Sequence, residues 1–456
     1  MLMTLLLLAS AALFVLALVV LVVPPWCVRA AALSVTVAVV VLVGNNSAPR
    51  SVWVGGFAAC LVLLAVAVVR GGLERHPGQR SFLVVAVFWA WLAVGALVAG
   101  SYSVSRLAVY FGLAVAVAFV ASQLSRREVT LVLGAVVAVA ALQSAAAVVE
   151  LVVGEPLLWG LRGGTRANPL LGDALDRAQG TLGHPIVLGF LEGVAVLLVW
   201  ADPWRLAPRL RWSLLVVGTV GVVLSGTRSV VACLVVAVVV HVLLRARLAA
   251  WLRNVLVVTV VAALVALADP GISRLVVELI ESGSWVHRLE SVVAVPALLA
   301  RPLAESLWGT GFGSEVALFA DGHIRLTYGL PVVDNFFVYL LGTTGVLGLA
   351  VFVVVAVVTF ARGDRLTRSI VVLVVGMGVS FDLVVWLGVG VLLSLFFALP
   401  GARVLAGPAS SPEPGAVATA EEARVALTRS PEGRQAPRAS RQPAGKLRSP
   451  RAQRTT

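Results

Sequence analysis

Apolar runs, many of them about 17–25 residues long and so able to cross a hydrocarbon layer about 30 Å thick, recur along this chain and constrain its fold more than any motif does. They cover residues 1–23, 28–43, 51–69, 81–99, 106–122, 129–153, 183–201, 212–224, 229–244, 254–268 and 334–360. A further stretch, 369–399, is too long for one straight helix and predicts two. Only 12% of the residues are charged, against about 25% in soluble domains. Such a chain cannot hide its apolar surface from water, so its solvent is lipid. The expected fold is all-α: a polytopic membrane domain over 1–401 with about a dozen transmembrane helices.

Two connections stand apart from the short loops, 154–182 and 269–333. The second contains the helix-like stretches Ile272–Glu281 and His287–Leu299, which predict a small helical cap. No internal repeat is visible, and this disfavours transporters built from inverted repeats. The run Met1–Val23 lacks a basic start and a clear cleavage site, so it reads as a first span or anchor and not as a removed signal peptide.

Charge placement sets the orientation. Fifteen arginines fall in one alternating set of short loops: Arg29; Arg70, Arg75 and Arg80; Arg126 and Arg127; Arg205, Arg209 and Arg211; Arg245, Arg247 and Arg253; Arg362, Arg365 and Arg368. The other set holds only Arg50, Arg106 and Arg228. The positive-inside rule puts the first set in the cytoplasm, so both long connections and Arg228 face outward. Thirteen segments counted this way put the N-terminus outside; moving one early boundary restores an even number with both ends inside.

The net charge of +13 is not a nucleic-acid signature. From Ala402 onward ten basic residues stand against four acids, in a stretch rich in Pro, Ala, Ser and Arg. That composition cannot bury enough surface to fold. Residues 402–456 are therefore expected to form a disordered basic cytoplasmic tail that solubilises the chain or lies on anionic headgroups. Cys27, Cys60 and Cys233 lie far apart, in or beside apolar runs, and form neither a disulfide framework nor a metal motif.

Ionisable groups in or beside spans are expensive, and in membrane proteins they tend to be functional or paired. Four clusters map to the outward side. His184, in Gly183-His184-Pro185, opens a span that carries Glu192 two turns deeper; it either caps the helix or donates to a ligand. Arg228 lies in the turn Ser225-Gly226-Thr227-Arg228-Ser229, where a guanidinium and a helix N-terminus together suit a phosphate. The third cluster contains Arg274, His287, Arg288 and Arg301, then Trp308-Gly309-Thr310-Gly311-Phe312-Gly313. Its glycines permit a tight turn close to a ligand, although no strand precedes them and a dinucleotide or Walker reading fails. Asp334-Asn335 opens the span 336–360, either as a helix cap or with Asp334 as a base.

Taken in order, GHPIVLGFLEGVAVLL, SGTRSVVACLVV, HRLESVVAVPALLARPLAESLWGTGFGS and VDNFFVYLLGTTGVLGLAVF resemble the O-antigen polymerase and O-antigen ligase superfamily of bacterial envelope enzymes. The resemblance covers roughly residues 180–360. It implies an inverting glycosyl transfer, independent of metal and cofactor, on the outer face of the bacterial cytoplasmic membrane. The implied donor is a glycan on undecaprenyl pyrophosphate, and the acceptor is a hydroxyl of a second glycan or lipid. By motif, Arg228 is similar to the arginine facing the donor pyrophosphate, and Arg288 to the arginine that opens the motif of the large external loop. His184, Arg301, Asn335 and Gly311 would complete the binding surface. Asp334 stands where ligases of this family commonly carry His, so either Asp334 activates the acceptor or the role passes to His287 or His323. That departure speaks against the lipopolysaccharide-core ligase and towards a polymerase or another relative. A lipid-linked glycan flippase or a non-catalytic glycan-binding scaffold are the competing readings; a flippase would show polar residues and broken helices deep in the membrane.

Overall fold

Where water is absent, every backbone N–H and C=O must find a partner within the protein, and a helix achieves this within one segment. The computed structural model describes residues 22–73, 81–161, 167–244, 283–325 and 332–401, and they are mostly helical. In chain order the main helices are α1 (Val28–Val43), α2 (Arg50–Gly71), α3 (Ser81–Val98), α4 (Val104–Ser122) and α5 (Arg126–Val153). After a two-stranded hairpin come α6 (Pro185–Ala201), α7 (Pro208–Ser225) and α8 (Arg228–Leu243). Four short helices follow: α9 (Gly283–Val293), α10 (Val295–Leu299), α11 (Leu303–Trp308) and α12 (Glu315–Ala320). The chain then forms α13 (Phe336–Arg362), α14 (Arg365–Gly378) and α15 (Leu387–Ala398). A helix occupies each expected span that lies among the described residues, and 369–399 does divide in two. Among the described residues six helices are long and apolar enough to cross a membrane, and Arg106–Ser122, Pro185–Ala201, Arg228–Leu243 and Leu387–Ala398 are shorter apolar stretches. The run 1–23 except its last two residues, the run 254–268, the stretch Ile272–Glu281 and the tail 402–456 lie outside the described residues.

Polar contacts sort the helix ends into two layers. At the arginine-rich end, Arg29 donates from Nε and Nη2 to both carboxylate oxygens of Glu128, at 3.1 and 3.0 Å. Glu128 also closes a capping box with Ser125, and Trp204 donates to Thr130 O at 2.8 Å. Arg29 is thus buried and paired, and removing one partner of such a pair costs about 3–5 kcal/mol. At the arginine-poor end, Asn45 donates to Trp159 O and Thr181 O, Asn46 to Val385 O, and Ser101 to Phe312 O. The turns assigned outward by arginine count therefore touch one another, and the inward ones do the same.

Two features depart from the sequence reading. The connection 154–182 is not purely irregular: β1 (Ala167–Asn168) pairs antiparallel with β2 (Gly172–Asp176). Asn168 makes the turn, accepting the Leu170 N–H and Leu171 N–H at 2.9 and 3.3 Å. The second departure is a break in α13 at Gly345, whose φ of 69° and ψ of −174° are not helical. The carbonyls of Leu341, Gly342 and Thr343, which continuing helix would have satisfied, accept instead from the segment 301–311. Arg301 donates to Leu341 O and Gly342 O, each at 3.1 Å, and Gly311 N–H to Thr343 O at 2.7 Å. A Cβ on Gly345 would lie 2.2 Å from Leu307 O, so only glycine admits this approach. Trp308 stacks on Trp91 of α3, with centroids 5.0 Å apart. This part of the long connection is threaded between α3 and α13.

Candidate active site

The site is assembled at the arginine-poor end, beginning with the turn between α7 and α8. The last carbonyls of α7 need donors, and the hairpin loop supplies them. Asn168 Nδ2 donates to Val223 O and Leu224 O, Ala178 N–H to Leu224 O, and Arg177 Nε to Ser225 O at 2.9 Å. Arg177 Nη2 also donates to Thr227 Oγ1 at 3.1 Å, while Thr227 Oγ1 donates to Pro185 O. Three separate segments thereby fix the turn that presents Arg228 as the first residue of α8.

His184 is the N-cap of α6, and its Nδ1 accepts the Ile186 N–H at 3.2 Å. With Nδ1 an acceptor, the neutral ring carries its proton on Nε2 and can only donate there. Burial, and then the positive charge of Arg177, lower its pKa to about 3, so the ring is neutral at physiological pH. The ring packs on Trp386, 4.8 Å between centroids, with Phe381 behind. Trp386 Nε1–H in turn donates to Asp382 Oδ1 at 3.0 Å.

Asp382 lies in the turn between α14 and α15, and Asp334 immediately precedes Asn335, the cap of α13. Burial first, and the Asp334 charge second, push the Asp382 carboxyl well above the usual carboxylate range. Arg288 lies in α9. Burial lowers the Arg288 pKa, the Asp334 carboxylate opposes that shift, and the nearby Arg228 charge adds to it. Arg288 Nε is buried without a hydrogen-bond partner among the described residues. Direct contacts link Asp382 through Trp386 to His184 and Arg177 to Thr227, the residue before Arg228, while Arg288 feels the charges of Asp334 and Arg228. A buried guanidinium N–H without a partner among the described residues, as at Arg288 Nε, is suited to a charged oxygen.

Of the remaining residues singled out from sequence, the described ones pack or cap. Arg301 is 6% exposed, and its guanidinium donates to Leu298 O as well as to the two α13 carbonyls, so it stabilises the break. Gly311 is likewise a packing residue: its φ is 101° and a Cβ there would lie 2.2 Å from Ala99 Cβ. Asn335 caps α13, accepting from Phe337 N–H and Val338 N–H at 3.0 and 3.1 Å. His287 is in α9, but its side chain lies outside the described residues, as does Arg274. His323 follows α12, and its backbone N–H donates to Leu318 O at 3.0 Å. Among the described residues no group of three His, Cys, Asp or Glu is placed to hold a metal.

Sequence reasoning missed Asp382, Trp386 and Arg177. Asp382 carried a signal, being the sole charged residue between Arg368 and Arg403. Arg177 carried none, since its partners are set by the hairpin. No protein-family model and no curated protein matches this chain.

Proposed function

We propose that this protein is a membrane glycosyltransferase of the O-antigen polymerase and ligase type, which polymerises or ligates undecaprenyl-pyrophosphate-linked glycan units. In this reading about twelve spans cross the bacterial cytoplasmic membrane, the segment 269–333 covers the outer face, and the basic tail is cytoplasmic. The observation that carries the proposal is Arg288, whose Nε is buried without a hydrogen-bond partner among the described residues and which feels the charges of both Asp334 and Arg228.

The chemistry matches those groups. The acceptor hydroxyl attacks the anomeric carbon of the donor glycan; the new glycosidic C–O bond forms as the bond from that carbon to the pyrophosphate oxygen breaks. The hydroxyl proton passes to Asp334, and undecaprenyl pyrophosphate leaves with the bonding pair. Attack opposite the leaving group inverts the anomeric centre. Arg228 and Arg288 hold the accumulating charge on the leaving oxygens, and fixed cations away from bulk water do so with little reorganisation. A positioned base adds about 10²–10⁴-fold. His184 Nε2–H can donate to a sugar or phosphate oxygen but cannot accept the proton.

The test uses purified protein in lipid with an undecaprenyl-pyrophosphate-linked oligosaccharide from the native host, read as glycan length on a gel. A ladder of products that Arg228→Ala abolishes, with that variant still membrane-inserted, is the expected result for a polymerase. Addition of a single unit to another acceptor identifies a ligase. An unaltered ladder from Arg228→Ala removes that residue from the mechanism. The break in α13 favours one second reading, a lipid-linked glycan flippase, which would move glycan across the bilayer without making a glycosidic bond.

A further inference from the structure

Glu192, halfway along α6, takes no part in the transfer chemistry. Its side chain is 0% exposed, and neither carboxyl oxygen has a hydrogen-bond partner among the described residues. Two glycines of α7 make the space it occupies. A Cβ on Gly221 would lie 2.7 Å from Glu192 Cδ, and one on Gly218 would lie 3.7 Å from its Oε2. Ser144 of α5 enters the same space, its Oγ 2.3 Å from that Gly221 Cβ position. The Ser144 hydroxyl donates to Val217 O of α7 at 3.1 Å, so the acid meets the lone pairs of that oxygen and not its hydrogen. Gln143 and Glu150 of α5 are committed elsewhere, to Thr181 and to the Gln179 and Gly180 N–H groups.

A charged side chain inside a membrane domain is costly and persists there only with a partner. A carboxylate beside Ser144 would set lone pairs against lone pairs, whereas a carboxylic acid has one O–H to give. Hard metal cations collect about six or more oxygen ligands, and this space holds the acid and one hydroxyl. We propose that Glu192 is a proton-binding site inside the membrane domain, which holds its proton as a neutral acid and gives that O–H to Ser144 Oγ. One relay, from Glu192 to Ser144 to Val217 O, then ties α6, α5 and α7 together. Gly221 is one turn from the end of α7, and Arg228 lies in the turn beyond, while α6 opens with His184. The proton thus fastens the two helices that lead to these residues. The inference stands apart from the transfer reading, and no donor enters its test.

The experiment takes the infrared difference spectrum between wild type and Glu192→Gln, each as full-length protein in lipid near neutral pH. A protonated carboxylic acid shows a carbonyl stretch above the amide bands that moves down slightly in D2O. The expected result is one such band, present in wild type and missing from Glu192→Gln. In Ser144→Ala the band persists but shifts, because its O–H has lost the acceptor; an unshifted band removes Ser144 from the relay. A carboxylate stretch in place of the acid band overturns the proposal. If that stretch responds to sodium or potassium, the site holds a metal cation; if it does not, the carboxylate pairs with a cation of the protein.

Stability supplies a second measurement. Glu192→Gln keeps the shape and neutrality of the protonated acid and still has a donor for Ser144, so its Tm in detergent stays within a few degrees of wild type. Glu192→Ala loses both the packing and the relay and melts lower. Glu192→Gln that fails to fold, or melts as low as Glu192→Ala, overturns the proposal, because Glu192 would then need its charge. Neither readout uses a donor, so this inference can fail while transfer persists and can hold where transfer fails.

Discussion

His184 illustrates how one side chain can be both cap and ligand group, because its two ring nitrogens have separate tasks. Replacement by Ala removes the cap, costing about 1 kcal/mol. His184→Asn restores the cap while removing the outward Nε2–H, and so separates folding from binding. The expected outcome is near-native Tm for His184→Asn with raised donor KM; unchanged KM would leave His184 as a cap alone. The sign of the pH effect follows from its folded pKa of about 3. An unfolded His takes up its proton near pH 6.5, so this residue's contribution to stability is complete above that value and is lost as pH falls towards 3. Wild type should therefore lose more Tm than His184→Asn between about pH 7 and about pH 5. Arg228 and Asp334 were legible in the sequence as charges out of keeping with their surroundings. Asp382 was legible by the same rule yet hidden in a long apolar stretch. Arg177 was not, because nothing local marks an arginine whose partners are the end of a helix fifty residues on.

At the scale of elements, the segment 301–313 and the break in α13 form one unit. The sequence marks Arg301 and the glycines from Gly309 to Gly313 as a possible ligand loop, since a mobile glycine turn and a glycine turn pressed on a neighbouring backbone look alike in one dimension. Three-dimensional packing separates them: Arg301 and Gly311 complete hydrogen bonds that α13 loses at Gly345. Arg301→Ala should therefore lower stability by about 1–3 kcal/mol for each buried carbonyl left unsatisfied. Arg301→Lys should rescue it poorly, because a single ammonium cannot reproduce the planar fork. Gly345→Ala should yield less folded protein still, given the contact with Leu307 O. Thermal unfolding and size-exclusion profiles in detergent report these losses. A stable Arg301→Ala with a raised donor KM would return Arg301 to the binding surface. The long helices among the described residues were readable to within a few residues from their apolar runs, whereas the short α11 and α12 were not. The break was not, because glycines are frequent in membrane helices and Gly342, Gly345 and Gly348 give no sign of which one departs from helical geometry.

Across the whole molecule, two independent lines bear on which ends of the helices share a side. Arginine counting sorts the short turns into a rich and a poor set by the energetics of insertion. Hydrogen bonds and ring contacts, which know nothing of a membrane, sort the described turns into the same two sets: Asn45, Ser101, Arg177, His184 and Trp386 at one end, Arg29, Glu128 and Trp204 at the other. The agreement is informative because a single helix read in the wrong direction would have carried its turn into the opposite layer. It fixes the helices relative to one another and leaves the absolute side to the charge rule, which places the candidate site outward. Single cysteines test that placement in a chain whose three native cysteines are replaced. Ser47→Cys and Asp321→Cys lie at the arginine-poor end, and Ala207→Cys lies at the rich end; all three positions are exposed. In intact cells a membrane-impermeant maleimide should label the first two, and Ala207→Cys only after the membrane is opened. The reverse pattern would put the candidate site in the cytoplasm, opposite to the side that the polymerase reading requires, and that reading would fail with it.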